Sequence, residues 1–371
     1  QMKIVMAASE LNVSNLLNLA QKFNCFYLSG LRHGQCKPFI VEGLQVGLVR
    51  PDIAKHLIRY PEVFHVSGKC IELNPAFRDY RERTTRVANV LQQLKQDDCL
   101  STLRGWRDEC YAVSAPGYPD LFEMDRCATC LFGIQKYGVT INGYVKHPTK
   151  GLCIWFQQRS NSKQTWPGKW DNMVGGGLSV GFGILETAIK EAAEEASVPQ
   201  SLANTMVPVG CVSFYFESER GLFPNTEYIY DMELPLDFIP DNSDGEVQSF
   251  ELLTISECLQ MIFSPDFKTT SAPVVIDFLI RKGLITPDNA LKSFAGQIVH
   301  VFWDLPYDQS CFGGVVIFRG DQTRQDLKLS VGWSGLFKKN TTRPQTRQMG
   351  GTRQQSSRMG GLRSPFTIFA R

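Results

Sequence analysis

Residues Gly176–Val198 read GGLSVGFGILETAIKEAAEEASV, and this stretch decides the fold. Its spacing of apolar and acidic residues predicts a helix from Ile184 to Ala196. On that helix Glu191, Glu194 and Glu195 stand at i, i+3 and i+4, so their carboxylates share one face. The opposite face, Leu185, Ala188, Ile189, Ala192 and Ala196, is small and apolar enough to lie close against a sheet. Like charges four residues apart destabilise an isolated helix by roughly 0.2–0.5 kcal/mol per pair, so a cation is expected to compensate. Clustered carboxylates are hard oxygen ligands of the kind Mg²⁺ and Mn²⁺ prefer, with water and substrate phosphate completing the shell. The plainer alternative is a solvated acidic face balanced by Lys190, Lys282 or bulk cations. Just upstream, Gly175, Gly176 and Gly177 could bring backbone N–H groups close to a phosphate, because glycine tolerates unusual dihedrals.

Outward from this stretch, strand-like runs cover Gly138 to Lys146 and Gly151 to Gln158, then Val207 to Phe216, Thr226 to Leu234 and Val247 to Ile255. Two further helices are expected near Ser256 to Ile262 and Val274 to Lys282. Strands gathered between helices predict a small mixed sheet covered on both faces. Ahead of it, helices from Leu16 to Phe23, Asp52 to Arg59 and Phe77 to Leu94, with β-rich residues Lys37 to Val49, form a compact α+β module whose function is opaque. A Pro/Gly-containing stretch between Tyr118 and Cys130 reads as the connection between the two. Past about Ala295 the pattern weakens, VFWDLPYDQSCFGGVVIF offering one or two strands before a segment rich in Arg, Gln, Gly, Ser and Thr. That tail has too little apolar surface to offset chain ordering and is expected to be disordered.

The 371 residues are 43% hydrophobic and 20% charged, a globular composition. From Leu336 onward the chain carries two Lys, six Arg and no acid, leaving 31 basic against 37 acidic residues in the rest. A mildly acidic body argues against a nucleic-acid-binding core; only the basic tail could attract RNA or acidic partners. Eleven scattered cysteines without framework spacing point to a reducing compartment, the cytoplasm or alternatively the mitochondrion. No run of roughly 18 apolar residues predicts a membrane span, and QMKIVMAASELNVSN has no signal-peptide core. The chain opens on Gln1, which leaves an upstream segment open. Cys127 and Cys130 form a C-x-x-C with no second pair at zinc-ribbon spacing, and the five histidines are dispersed, so none is assigned chemistry.

The stretch 176–198 resembles the Nudix hydrolase signature G-x5-E-x7-R-E-U-x-E-E-x-G-U, where U is aliphatic. Gly176 takes the first position, Lys190 and Glu191 the R-E pair, Glu194 and Glu195 the E-E pair and Val198 the last. Phe182, Lys190 and Ser197 depart from it, standing for Glu, Arg and Gly. The runs RSNSKQTWPGKWDNMVGGG, ELPLDFIPDNSDGEVQSFELL and VVIDFLIRKGLITPDN resemble the thiamin-pyrophosphokinase-related branch of that family, and KPFIVEGLQVGLVRP and LRGWRDECYAV resemble its N-terminal domain. The resemblance implies a Nudix α/β/α sandwich over residues 131–295, preceded by a smaller α+β domain over 12–130 and followed by the basic tail over 296–371.

It implies hydrolysis of a small-molecule diphosphate, thiamin diphosphate or its oxidised analogues, to the monophosphate and phosphate, using Mg²⁺ or Mn²⁺. Glu191, Glu194 and Glu195 would hold the metal. Glu246 lies where many family members place an extra ligand or general base, and equally reads as a solvated turn acid. Arg159, Lys163 and Lys169 flank Trp166, so cations for phosphate and a ring for stacking meet in one loop, unless Trp166 merely packs there. The competing expectation is a non-catalytic scaffold that binds a ligand or RNA through its tail. Sequence leaves the oligomeric state open.

Overall fold

The computed structural model describes residues 35–285 except 243 and 244, together with Asn18, Leu19, Lys22, Phe23 and Cys25. The expected tail, its strands near 301–318 and part of the helix expected over 16–23 lie outside the described residues.

The N-terminal module begins with β1 (Lys37–Val41), β2 (Leu44–Val49) and α1 (Pro51–Leu57). Strands β3 (Phe64–Val66) and β4 (Ile71–Leu73) complete a sheet of order β2-β1-β4-β3. Across it lies α2 (Tyr80–Gln96), with Val87, Val90, Leu91 and Leu94 on its buried side. The helical period predicted this face, but the helix starts three residues later than Phe77. Asp79 fixes the start, its carboxylate accepting the Glu82 N–H at 2.8 Å.

A correction concerns Tyr118 to Cys130. The stretch is no open connection: β5 (Cys110–Val113) and β6 (Phe122–Asp125) pair there as a hairpin, and Thr129 to Phe132 are buried. Pro119, with Pro116 and Gly117 just ahead of the stretch, belongs to the hairpin loop, and the apolar residues after β6 join the module's core.

The second domain is built on β7 (Lys136–His147) and β8 (Gly151–Arg159), with β9 (Trp170–Asn172) and β10 (Val174–Gly177). After β10 come the helix α3 (Ile184–Ala196) and a single turn, α4 (Gln200–Ala203). The chain then forms β11 (Val207–Ser218), β12 (Gly221–Glu233) and β13 (Val247–Thr254), followed by α5 (Ile255–Phe263) and α6 (Ala272–Arg281). The sheet runs β11-β12-β7-β8-β13, with β10 on β7 and β9 on β8. It is mixed because β12 runs parallel to β7, in register from Asn225↔Lys136 to Glu233↔Tyr144.

Alternation along these strands feeds two cores. Tyr144, Ile154, Phe156, Phe214 and Ile229 pack under α5 and α6, together with Leu19 and Phe23. Val139, Ile141, Val145, Met173 and Val174 pack under α3. This is the expected α/β/α sandwich behind a smaller α+β domain. One detail of α3 differs: Leu185 is 52% exposed, so the stripe against the sheet is Ala188, Ala192 and Ala196, each at 0%. Three alanines one turn apart let the helix lie close on β7 and β10, which sets the distance at which its glutamates meet the glycine strand.

Candidate active site

The consecutive glycines Gly175, Gly176 and Gly177 seat side chains from two domains. The Gly175 N–H donates to Glu195 Oε2 at 2.9 Å. A Cβ on Gly176 would fall inside the Glu191 carboxylate, and one on Gly177 inside the Tyr111 hydroxyl. Tyr111 comes from β5, so the N-terminal module reaches the site. A Cβ on Gly138, paired with Gly177 across the ladder, would fall on the Glu227 carboxylate and the Gly176 carbonyl. Close approach, rather than backbone freedom, therefore requires glycine at 138, 176 and 177.

The acids of α3 have three environments. Glu195 is 1% exposed, accepts from Gln157 Nε2 at 3.1 Å as well as from Gly175, and lies 3.9 Å from Lys163 Nζ. Burial pushes its carboxyl up to about 7, against the pull of the Gly175 N–H and Lys163. Glu191 is mostly buried and is also raised by burial, with Glu194 adding repulsion and Lys190 and Arg126 opposing it. Glu194 points outward and pairs with Lys190 at 2.6 Å. Lys190, in the arginine position of the signature, thus sits between Glu194 and Glu191.

Glu246 contacts Lys163, which joins it to Glu195. Lys163 is 11% exposed, so it is a linking group between two carboxylates. Arg159 is turned inward: Nη1 donates to Asp171 Oδ2 at 3.1 Å, and Nε and Nη2 to the Thr165 carbonyl at 3.2 and 3.1 Å. It holds the 160–169 loop from beneath. Trp166 sits on that loop at φ 54°, half-buried, and Lys169 leans away to Pro265 O and Asp266.

Several residues that sequence reasoning missed enter here. Glu227 on β12 accepts from Thr140 Oγ1 at 3.5 Å, and burial raises its carboxyl, with Asp171 adding to the effect. Glu109, Tyr111 and Arg126 of the N-terminal hairpin form a second group. Arg126 pairs with Glu109 at 3.0 Å and lies over the Tyr111 ring at 5.6 Å, and Ser179 Oγ donates to Glu109 at 2.8 Å. The charge of Arg126 is felt at both Glu191 and Glu227. A charged residue interrupting the apolar strand TEYIYDME was the one available signal for Glu227.

Sheet, glycine strand and carboxylate helix define a hydrolase of the Nudix fold class, and the comparisons agree. Residues 136–274 match the NUDIX domain, and residues 15–136 match a domain of unknown function, DUF4743. Chloroplastic Nudix hydrolase 24 of Arabidopsis thaliana is 34% identical over 75% of this chain and 76% of its own length. Chloroplastic Nudix hydrolase 20 of the same plant is 33% identical over 76% and 77%. An uncharacterised protein of Saccharomyces cerevisiae is 35% identical over 62% and 71%. This chain belongs to the Nudix hydrolase family, enzymes that act on diphosphate bonds of small molecules, with a DUF4743 domain ahead of the catalytic one. Among the described residues no helix is long and apolar enough to cross a membrane.

Nudix hydrolases generally use divalent ions such as Mg²⁺ or Mn²⁺. The donors here suit such an ion: Glu191, Glu195 and Glu227 offer only oxygen, and Gln157 Oε1 is buried with no hydrogen-bond partner in the structure. The raised carboxyls are groups whose ionised form a dication would favour. Among the described residues no three such side chains already stand at ligand spacing; Lys190 and Lys163 hold the acids instead.

Proposed function

We propose that this Nudix hydrolase cleaves thiamin diphosphate or its oxidised, damaged analogues to the monophosphate and phosphate. The observation that carries the diphosphatase reading is the convergence of Glu191, Glu195 and Glu227 on the Gly138/Gly175–Gly176 seat. The thiamin assignment is supported by the runs around Trp166 and after β12, which resemble the thiamin-related branch. Glu191 and Glu195, with Glu227 beside them and Glu194 at the rim, are the residues we assign to hold Mg²⁺ or Mn²⁺. The bound ion would neutralise charge on the diphosphate oxygens and acidify water.

The protein's part is positioning. Gly175 and Gln157 orient Glu195 by hydrogen bonds, as outer partners orient metal ligands generally. Arg159 and Asp171 anchor the loop that carries Trp166, the ring we assign to stack on the organic group. Glu246, at the solvent side of Lys163, is the general base we assign. The test is phosphate release by the full chain with Mg²⁺ or Mn²⁺ across thiamin diphosphate, its oxygen-substituted analogues and several nucleoside diphosphate compounds. Preferential turnover of the thiamin compounds is the expected result; turnover of nucleotides alone would overturn the substrate assignment and keep the chemistry.

A further inference from the structure

The N-terminal module places a half-buried guanidinium against the loop that carries Lys163. Arg107 Nε donates to Gln164 Oε1 at 3.1 Å, and Gln164 follows Lys163, the lysine near Glu195. Its backbone is fixed: the N–H groups of Arg107 and Asp108 both donate to the buried carboxylate of Asp125, at 3.1 and 2.9 Å. Gly105 permits the approach, since a Cβ there would already stand 3.2 Å from Gln164 Oε1.

Charge balance makes Arg107 unusual. Among the described residues no carboxylate forms an ion pair with it, whereas Arg126 is matched by Glu109 and Arg159 by Asp171. The charges of Arg126 and Arg159 both act on it, opposed by Glu109, which is already engaged by Arg126 and Ser179. Burial first, then Arg126, lowers its hold on the proton. A guanidinium in that setting is matched by an anion with several oxygens, and phosphate is the one its planar fork accepts bidentately.

We propose that Arg107, oriented by Gln164, binds the diphosphate of the substrate, so that the DUF4743 domain supplies part of the Nudix substrate site. This rests on the diphosphatase reading above, and the experiment separates the two. Binding of the non-hydrolysable probe methylenediphosphonate to the full chain is measured calorimetrically with Mg²⁺, alongside KM and kcat on whichever diphosphate is turned over.

Arg107→Gln is expected to weaken probe binding roughly tenfold or more and to raise KM more than it lowers kcat. Arg107→Lys recovers only part of the loss, because an ammonium lacks the fork. Gln164→Ala, which leaves the charge in place and frees its orientation, gives a smaller loss and serves as the readout should Arg107→Gln unfold. Arg104→Gln, an exposed residue of the same module paired to Asp98, leaves binding unchanged. Wild-type affinity in folded Arg107→Gln, or an equal loss in Arg104→Gln, would overturn the proposal. Arg107-dependent probe binding without turnover of any thiamin compound would remove the thiamin assignment and leave this one standing.

Discussion

Asp171 shows how much of the site's rigidity depends on one buried carboxylate. It is 3% exposed and takes Arg159, Lys268 at 2.8 Å and the Ser271 hydroxyl. Burial alone would raise its carboxyl, but Lys268 and Arg159 outweigh burial and hold it below the usual value. A carboxyl lowered in the folded state binds its proton less tightly there than in the unfolded chain. Its stabilisation is therefore present above the ordinary value of 3.8 and is lost as pH falls through the lowered one. Asp171→Asn leaves Arg159 and Lys268 without their shared counter-ion and should destabilise the protein by about 3–5 kcal/mol at pH 7, read by urea denaturation. Glu195→Gln belongs to the chemistry: Mg²⁺-dependent turnover should fall by more than the roughly 10–100-fold typical of outer-shell changes, with the circular-dichroism spectrum unchanged.

The signature helix was legible as an element from its alanine stripe and acid spacing, and α3 runs over the expected residues. Its end is one of three places where the sequence departs from the family pattern, and the structure shows what glycine would supply there. Ser197 caps it at φ 50°, ψ 35°, the left-handed region that glycine enters without penalty. Ser197→Gly should raise stability by about 1 kcal/mol, a rise in Tm of roughly 2–4 °C by thermal denaturation, with no change in KM. The glutamates on this helix were less legible. Period alone gives Glu194 and Glu195 one face, but a helix on a sheet has an inner and an outer rim. Glu195 faces β8 and β10, while Glu194 faces solvent with Lys190. Glu227 could not be found by period at all, because its partner Gly138 is set by the parallel register of β12 on β7.

At the scale of the molecule the two domains are stitched at several points. Thr102 Oγ1 donates to Arg220 O and Val180 N–H to Cys110 O, and Arg50 reaches Glu217 and Ser218. None of these pairings was legible, since each joins segments distant in sequence that share no pattern. The described body is expected to unfold in one cooperative calorimetric transition, with van't Hoff and calorimetric enthalpies equal; two resolved transitions would show that the domains melt independently. The site belongs to this stitched surface as much as to the signature.

The glycine strand also makes the two domains genetically separable. At Gly175 an added Cβ meets nothing closer than Val139 O at 3.7 Å, so alanine is tolerated there; at Gly176 and Gly177 it is not. The obstacle at 176 is a helix side chain, and at 177 it is a side chain of the module. A folding defect from Gly176→Ala should accordingly be suppressed by shortening Glu191, and one from Gly177→Ala by truncating Tyr111, with no cross-rescue. Adjacent positions in one strand would then behave as alleles of two different partners.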